Sequence, residues 1–215
     1  FEDMIEGVGK KMVHFQDHYQ LPIQILNIGG GIGIRYTKAD PKLKLSSFIE
    51  HLCNTVKRVC DEHHLPHPQL IMEPGRSIVG EAGMTLYTVG AIKPIETIKT
   101  YCFVDGGMAD NPRPAMYQAK HSVAVMNKAN QPAERDYTIA GKYCESSDIL
   151  IDKVTLPELA PGDILGVFGT GAYNYSMASN YNHACKSAMV AVENGEARLL
   201  VKRESYEDLL RNDVR

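Results

Sequence analysis

The pattern of apolar residues changes near residue 84, and this change constrains the fold more than any other feature of the sequence. Before it, helical and strand patterns alternate: apolar residues recur at helical spacing from Met4 to Phe15, and Ile23–Ile28 and Gln69–Met72 are short apolar runs on either side of a second helical pattern. After it, short apolar runs separated by turns follow one another. The sequence therefore predicts two strand-helix units followed by an all-β region.

Local signals mark several element boundaries. Ser47 and Glu50 have the spacing of a capping box and predict that the second helix begins there. Near the end of the chain, two apolar runs flank Asn194-Gly195, a dipeptide typical of a tight hairpin turn. Ser205 is a candidate N-cap, so we expect a short terminal helix over residues 206–210.

Two strand-helix units cannot close a barrel, which has eight such units. We therefore predict the C-terminal part of a (β/α)8 TIM-like barrel over residues 1–83. A β-sandwich or β-barrel domain with a short terminal helix would follow over residues 84–215. The sequence opens at Phe1 directly in a helical pattern, so we expect it to be the later part of a longer protein.

Composition excludes several classes of function. The 215 residues are 44% hydrophobic and 23% charged, which is typical of a globular protein, and the formal net charge of -3 gives no basic excess for nucleic acid or anionic membranes. No apolar run approaches the roughly 20 residues of a membrane-spanning helix. The odd number of cysteines and the lack of a C-x-x-C pair argue against disulfides and a zinc site. We expect a soluble cytoplasmic protein without metal.

Gly29-Gly30-Gly31-Ile32-Gly33 follows the first predicted strand, where barrels and doubly wound sheets bind phosphates. Glycine allows backbone N–H groups to approach an anion closely, although a plain tight turn is the alternative. The dinucleotide fingerprint and the Walker pattern both fail here. Another flexible turn, Gly169-Thr170-Gly171-Ala172-Tyr173, ends in a phenol and leaves the same two interpretations open.

Charged residues beside turns supply further candidates. Glu73 and Arg76 enclose a Pro-Gly turn and could present a carboxylate and a guanidinium to one ligand, or form only a local ion pair. Arg113 lies between two prolines, which would hold its guanidinium ready for a carboxylate. Cys144 precedes Glu145, whose charge does not favour a thiolate, so a proton donor or a structural cysteine is expected rather than a nucleophile. The histidines near His64 fit a solvated surface turn better than a metal site.

Five motifs in order carry a resemblance to a known family: GGGIGIRY, EPGRSIVGEAG, VDGGMADNPRPAMY, GKYCESSDIL and GTGAYNYSMASNYN. Together they resemble the diaminopimelate decarboxylases, which are pyridoxal-phosphate enzymes of the alanine-racemase-like fold. The resemblance covers essentially the whole chain and corresponds to the C-terminal half of the family. It implies a cofactor-binding barrel joined to a C-terminal β domain.

The resemblance also implies roles for individual residues. The cofactor phosphate would be held by the amides of Gly29, Gly30 and Gly31, by the turn from Glu73 through Gly75 to Arg76, and by the Tyr173 hydroxyl. Glu73 would pair with the pyridine nitrogen.

The substrate residues follow from the same resemblance. Arg76, Arg113 and Tyr117 would bind the distal carboxylate of meso-diaminopimelate, with Tyr173 also in the substrate site, and Glu145 would bind its distal ammonium. Cys144 would protonate the α-carbon after CO2 leaves, giving L-lysine. In the family, Cys144 and Glu145 would come from the partner subunit of a two-fold dimer.

Departures from the family pattern leave alternatives open. The cofactor-binding lysine of the family has no counterpart before Gly29, and Lys128, in a partly similar stretch, is not expected to replace it. Ser147 stands where the family usually has glycine, and residues 183–187 differ from its N-R-x-x-R-P pattern. A decarboxylase of D-ornithine, D-lysine or arginine is one alternative, although such substrates lack a second carboxylate. A non-catalytic binding relative is another.

Overall fold

The computed structural model describes residues 1–214 and divides the chain into two compact units. The first contains residues 1–35 and 40–78, and the second contains residues 36–39 and the chain from residue 79 onward. We call them the barrel unit and the sheet unit. The predicted domain boundary of the whole protein, between residues 83 and 84, stays a prediction.

The barrel unit is a helix followed by a strand-helix-strand motif: α1 (Glu2–Tyr19), β1 (Ile25–Asn27), α2 (Leu45–Glu62) and β2 (Gln69–Ile71). The two strands pair in parallel, with Ile25 opposite Gln69, because the long helix between them returns the chain to the same end. Ile5 and Met12 of α1 pack against Leu52 and Val59 of α2 in one buried cluster. This arrangement matches the alternating pattern predicted for the region.

Capping residues were predicted correctly at one helix and wrongly at another. The capping box at Ser47 and Glu50 is wrong, because α2 begins at Leu45 and its N-cap is Lys44, so both residues lie inside the helix. Packing of its apolar face stabilises α2, so the helix starts two residues before the predicted capping residue Ser47. At the terminal helix α5 (Tyr206–Leu210), Ser205 accepts a hydrogen bond from the Asp208 N–H, and the Ser205 N–H donates to the Asp208 carboxylate. That predicted cap is confirmed.

Six strands of the sheet unit form one sheet, in the order β5-β8-β3-β4-β6-β7. All neighbours are antiparallel except β4 and β6, which are parallel. The strands are β3 (Met84–Ile95), β4 (Lys99–Val104), β5 (Val123–Val125), β6 (Arg135–Ala140), β7 (Ile149–Leu156) and β8 (Ile164–Phe168). Short helices are α3 (Arg76–Val79), which crosses the division between the units, α4 (Arg113–Tyr117) and α5 (Tyr206–Leu210), with 3-10 turns at Met126–Lys128, Tyr175–Met177 and Tyr181–His183.

The predicted hairpin near the end of the chain is confirmed. Strands β9 (Met189–Glu193) and β10 (Glu196–Val201) pair with each other in a separate two-stranded sheet. Asn194 and Gly195 connect them with left-handed φ values of 51° and 82°, the conformation that an Asn-Gly turn adopts readily.

The core of the sheet unit consists of side chains from successive strands. Ile139 of β6 and Leu165 and Val167 of β8 are fully buried, and Cys102 of β4 packs in the same cluster. Burial raises the pKa of the Cys102 thiol to about 12, so this cysteine is inert. The core therefore comes from the inward faces of the strands, as their alternating patterns predict.

Two further observations concern membranes and metals. None of the helices within residues 1–214 is long and apolar enough to cross a membrane. In the same part of the chain, no three His, Cys, Asp or Glu side chains are grouped to hold a metal ion. His63, His64 and His67 are exposed, and His67 contacts only the neighbouring carboxylate of Asp61 at 2.7 Å among the polar contacts described.

Candidate active site

The glycine turn after β1 lies directly beside Glu73, which follows β2. The Gly29 N–H donates to Oδ1 of Asn27 at 2.8 Å, and Nδ2 of Asn27 donates to the Glu73 carboxylate at 2.6 Å. The Glu73 N–H returns a bond to the Gly29 carbonyl at 2.9 Å. The ends of the two parallel strands thus bring together residues 29–31 and Glu73, which lie 42 or more positions apart in the sequence.

Close backbone approach requires glycine in this turn. A Cβ on Gly30 would lie 2.5 Å from the Glu73 carbonyl oxygen, and Gly29 and Gly31 have left-handed φ values of 69° and 86°. A side chain at these positions would therefore separate the strand ends or strain the backbone. Asn27, which orients the Glu73 carboxylate, was not predicted; its position as the last residue of a strand before the glycines is the one sequence signal that could have indicated it.

The Pro-Gly turn after Glu73 leads into the short helix α3. The Ile78 N–H donates to the Gly75 carbonyl at 3.0 Å, and Arg76 is the first residue of the helix. Arg76 is half-buried and belongs to the barrel unit together with Glu73 and the glycine turn. The turn therefore places a guanidinium three residues beyond the carboxylate, as its sequence predicts.

Arg113 of the sheet unit is surrounded by three tyrosine rings. Its Cζ lies 5.5 Å from the ring centroid of Tyr117, 5.6 Å from that of Tyr173 and 5.9 Å from that of Tyr36. These distances are within the range of cation-π attraction, which restrains the guanidinium without neutralising its charge. Tyr117 and Tyr173 were candidates from the sequence, whereas Tyr36 was not, because it lies 77 residues before Arg113.

The prolines around Arg113 produce a short helix. Pro112 occupies the N-cap of α4 and Pro114 lies in its first turn, where the missing N–H costs no helical hydrogen bond. Arg113 and Tyr117 are four residues apart on this helix, so their side chains meet on one face. The helix ends at Gln118, which has a left-handed φ of 54°.

Tyr173 lies in a strained loop. Its φ of 60° is unusual for a tyrosine, and such strain is concentrated at functional sites. The loop is held by backbone bonds from the Gly171 N–H to the Gly80 carbonyl and from the Thr170 N–H to the Gly83 carbonyl, both 3.0 Å. A Cβ on Gly171 would overlap the Val79 carbonyl oxygen, so this close contact requires glycine.

Cys144 and Glu145 are exposed on the loop between β6 and β7. Cys144 borders a cavity of about 430 Å³ that is also lined by Phe103, Asp105 and Lys142. Burial, with the nearby charges of two aspartates, raises the pKa of the adjacent Tyr143 phenol to about 12, so it stays protonated. The loop thus presents a thiol and a carboxylate side by side, as the sequence predicts.

Lys128 has a structural environment. Its ammonium forms an ion pair with the buried carboxylate of Asp163 at 2.6 Å and donates to the Glu158 carbonyl at 2.8 Å. The same carboxylate accepts a bond from Nδ2 of Asn127, and these contacts lower the pKa of Asp163 although its burial opposes them. A lysine held in this way is not available to a cofactor, in agreement with the prediction.

Comparison with known families agrees with this geometry. The family model described as the pyridoxal-binding domain of pyridoxal-dependent decarboxylases matches residues 1–80, and that described as their C-terminal sheet domain matches residues 58–171. The chain belongs to the pyridoxal-dependent decarboxylase family. Its fold is therefore that of a pyridoxal-binding barrel joined to a sheet domain, of which this chain contains part.

Several similar proteins within that family are diaminopimelate decarboxylases. A diaminopimelate decarboxylase of Bacillus subtilis is 48% identical over 97% of this chain, and one of Synechocystis is 50% identical over 91%. The structure of the M. jannaschii diaminopimelate decarboxylase in complex with L-lysine superimposes with a TM-score of 0.88 at 33% identity over 100% of the chain. The resemblance inferred from the five motifs is confirmed.

These relatives are longer proteins. The chain corresponds to 48% of the Bacillus subtilis protein, 42% of the Synechocystis protein and 48% of the M. jannaschii chain.

The residues of the barrel unit suit pyridoxal phosphate. The glycine turn lets the backbone pass close to Glu73, where a Cβ on Gly30 would clash. The Gly29 N–H is bonded to Asn27, so the N–H groups of Gly30 and Gly31 are the candidate donors suited to a phosphate. The Glu73 carboxylate is fixed by Asn27 and is the kind of acceptor that a protonated pyridine nitrogen needs. The donor set and the acceptor therefore match the two polar ends of the cofactor.

Proposed function

We propose that the full-length protein decarboxylates meso-2,6-diaminopimelate to L-lysine and CO2 with pyridoxal phosphate as its cofactor. The observation that carries this proposal is the charged Arg113 enclosed by Tyr36, Tyr117 and Tyr173. A guanidinium held in this way suits a carboxylate ligand. Diaminopimelate has a second carboxylate, which ornithine, lysine and arginine lack.

The cofactor would be held by residues of the barrel unit together with Tyr173. Because the Gly29 N–H already donates to Asn27, the amides of Gly30 and Gly31 and those of the turn through Gly75 would bind the phosphate, and the Tyr173 hydroxyl would add a donor. Glu73 would accept a hydrogen bond from the ring nitrogen. When bound, the cofactor supplies an electron sink for the pair released as CO2 departs.

Binding of the distal end of the substrate would orient its reacting end. Arg76, Arg113 and Tyr117 would bind the distal carboxylate, and Glu145 would accept hydrogen bonds from the distal ammonium. This fixes which of the two amino-acid ends faces the cofactor and lowers the entropic barrier to reaction. The L-lysine bound in the M. jannaschii relative supports the assignment of the product.

Cys144 would supply a proton. After CO2 leaves, the α-carbon must gain one proton, and the Cys144 thiol would donate it and later recover a proton from solvent. The exposed position of the Cys144 side chain supports such exchange with solvent.

The working unit that we propose is a cytoplasmic two-fold homodimer in which Cys144 and Glu145 complete the partner's site. In the whole protein, the barrel unit would form the end of an eight-unit barrel, and the sheet unit would form a β-sandwich or β-barrel domain. The exposure of Cys144 and Glu145 on a loop supports their availability to a partner.

The decisive experiment measures CO2 and lysine release by the full-length protein with Arg113→Ala beside wild type. Loss of a charged contact to the distal carboxylate should lower kcat/KM for meso-diaminopimelate by at least about 30-fold, equivalent to about 2 kcal/mol. Arg135→Ala is the matched control, because Arg135 is an exposed residue of the same unit that pairs with Glu158 at 3.1 Å. It should leave kcat/KM unchanged.

Two results would contradict the proposal. One is normal turnover of diaminopimelate by Arg113→Ala. The other is faster turnover of D-ornithine, D-lysine or arginine than of diaminopimelate by the wild type.

A further inference from the structure

Asp148 is a buried carboxylate on which two loops of the sheet unit converge. Its side chain is 3% exposed. Oδ1 accepts a hydrogen bond from the Met108 N–H at 2.7 Å, and Oδ2 accepts one from the Tyr143 N–H at 2.9 Å. The two oxygens of one carboxylate therefore bind the backbones of two loops that are separate in sequence.

Both backbones lie directly against this carboxylate. A Cβ on Gly107 would lie 2.5 Å from Oδ1 of Asp148, and one on Gly141 would overlap the same group. The Gly141 N–H also donates to the Asp148 carbonyl at 2.9 Å. The glycines explain how the backbones of two loops can both approach so short a side chain. The close fit leaves the loops little freedom to shift.

The first loop continues into the helix that carries Arg113. The Gly107 N–H donates to the Asp110 carboxylate at 3.0 Å, and the Asn111 N–H donates to the Gly107 carbonyl at 3.0 Å. Arg113 begins α4 two residues later. This hydrogen-bonded turn connects Gly107 and Met108 to the start of α4. Their position therefore affects where the Arg113 guanidinium lies.

The second loop carries Cys144 and Glu145. Tyr143, whose N–H is bound by Asp148, immediately precedes Cys144, and the Asp148 N–H donates back to the Glu145 carbonyl at 3.1 Å. The four residues between Tyr143 and Asp148 are exposed, and these bonds hold the two ends of the segment. The Lys142 N–H also donates to the Gly106 carbonyl at 3.0 Å and joins the two loops directly.

We propose that Asp148 is a positioning residue that holds the Cys144-Glu145 loop and the turn leading to Arg113 in one fixed arrangement. The proposal rests on the proposed function for the roles of those three residues. Burial raises the pKa of Asp148, whereas the N–H bonds from Tyr143 and Met108 oppose that rise. The bonds therefore favour the ionised carboxylate, which accepts both N–H groups more strongly than a neutral group does.

The test replaces this carboxylate with an amide of the same shape in the full-length, cofactor-loaded protein. In Asp148→Asn only one oxygen remains as an acceptor, so one N–H loses its partner. We expect hydrogen exchange at the amides of Met108 and Tyr143 to become at least about tenfold faster, and kcat/KM for diaminopimelate to fall about tenfold or more.

Asp163→Asn is the matched control. Asp163 is another buried carboxylate of the sheet unit that accepts a backbone N–H, from Ala160 at 2.7 Å, and it pairs with Lys128 rather than with the loops. We expect this variant to lose thermal stability, yet to keep wild-type exchange at Met108 and Tyr143 and kcat/KM within about twofold of wild type.

Equal effects of the two substitutions on exchange and on kcat/KM would show a general structural role and overturn the proposal. Unchanged exchange in Asp148→Asn would also overturn it. If that variant does not fold, hydrogen exchange in the wild-type protein tests the proposal. Exchange of the Met108 and Tyr143 amides as fast as that of the exposed segment 144–147 would contradict it, and protection of these two amides would support it. The exchange readout needs no substrate, so failure of the proposed reaction is distinguishable from failure of this inference.

Discussion

His121 illustrates how a single buried residue supports the candidate site. Its Nδ1 lies 2.9 Å from the Phe168 carbonyl oxygen and donates its proton there, and its ring meets the Tyr36 ring edge-on at 5.1 Å. Burial lowers the pKa of His121, and the charge of Arg113 lowers it further. A neutral imidazole therefore lies beneath the tyrosine that packs on Arg113.

This environment predicts a pH-dependent stability. Because the folded pKa is below the ordinary value of about 6.5, the unfolded state binds the proton first as the pH falls. Protonation of His121 therefore does not reduce the stability of the folded protein above about pH 6.5, and it reduces that stability as the pH falls below this value. In His121→Gln of the full-length protein, we expect the fall in Tm between pH 7 and pH 5 to be smaller than in wild type by roughly 2–4 °C.

Scanning calorimetry across this pH range measures the effect. His63→Gln is the control, since His63 is exposed and its removal should leave the wild-type dependence of Tm on pH. A His121→Gln profile parallel to the wild type would show that His121 does not titrate on unfolding.

Residue types in local patterns were predictable, whereas their long-range partners were not. The glycine turn, Glu73 and Arg113 stand out in the sequence because glycine and proline reveal special backbone positions. Asn27, Tyr36 and Asp148 are ordinary residue types whose importance comes from contacts with distant parts of the chain. Such contacts have no local signature, which explains why these residues were missed.

At the scale of elements, the sequence pattern did not identify strand β7. Its apolar run is interrupted by Asp152 and Lys153. In the fold β7 is an edge strand. Lys153 pairs with Asp136 of the neighbouring strand β6 at 2.9 Å, and Asp152 pairs with Lys99 of β4, one strand further in, at 3.0 Å. Charged residues are common on edges, where they discourage pairing with other chains.

Strand β6, in the interior of the six-stranded sheet, contributes a buried side chain to the core. Ile139 of β6 is fully buried in the core. Ile139→Ala should lower the free energy of unfolding by about 2–5 kcal/mol, because it removes apolar contacts and leaves a cavity. Urea denaturation of the full-length protein, followed by circular dichroism, measures this difference.

Ile98→Ala provides the matched control for the same chemical change. Ile98 is 71% exposed in the turn between β3 and β4, so its truncation should change the free energy of unfolding by less than about 0.5 kcal/mol. Similar losses in the two variants would contradict the assignment of the core.

At the scale of the whole molecule, the proposed dimer makes a quantitative prediction. Full-length Arg113→Ala and Cys144→Ala subunits should each be nearly inactive alone. In a mixture that exchanges subunits at random, half of the dimers contain one of each, and one of their two sites is intact if Cys144 crosses to the partner. Activity should therefore return to about a quarter of wild type.

The mixture distinguishes the two possible arrangements of the site. If Arg113 and Cys144 serve a site within the same subunit, every site in the mixed dimer carries one substitution and activity does not return. Size-exclusion chromatography of the mixture, with one subunit tagged, checks that exchange has taken place.

The assignment of residues 36–39 to the sheet unit affects how the protein can be divided. The chain crosses between the units after residues 35, 39 and 78, so neither unit is one continuous stretch. The Ser122 N–H donates to the Tyr36 carbonyl at 2.9 Å, and Gly169 closely approaches the Tyr36 ring. A recombinant cassette that started at residue 79 would omit this tyrosine. Exchange of sheet units between homologues, by genetic recombination or by engineering, therefore has to transfer two separate gene segments.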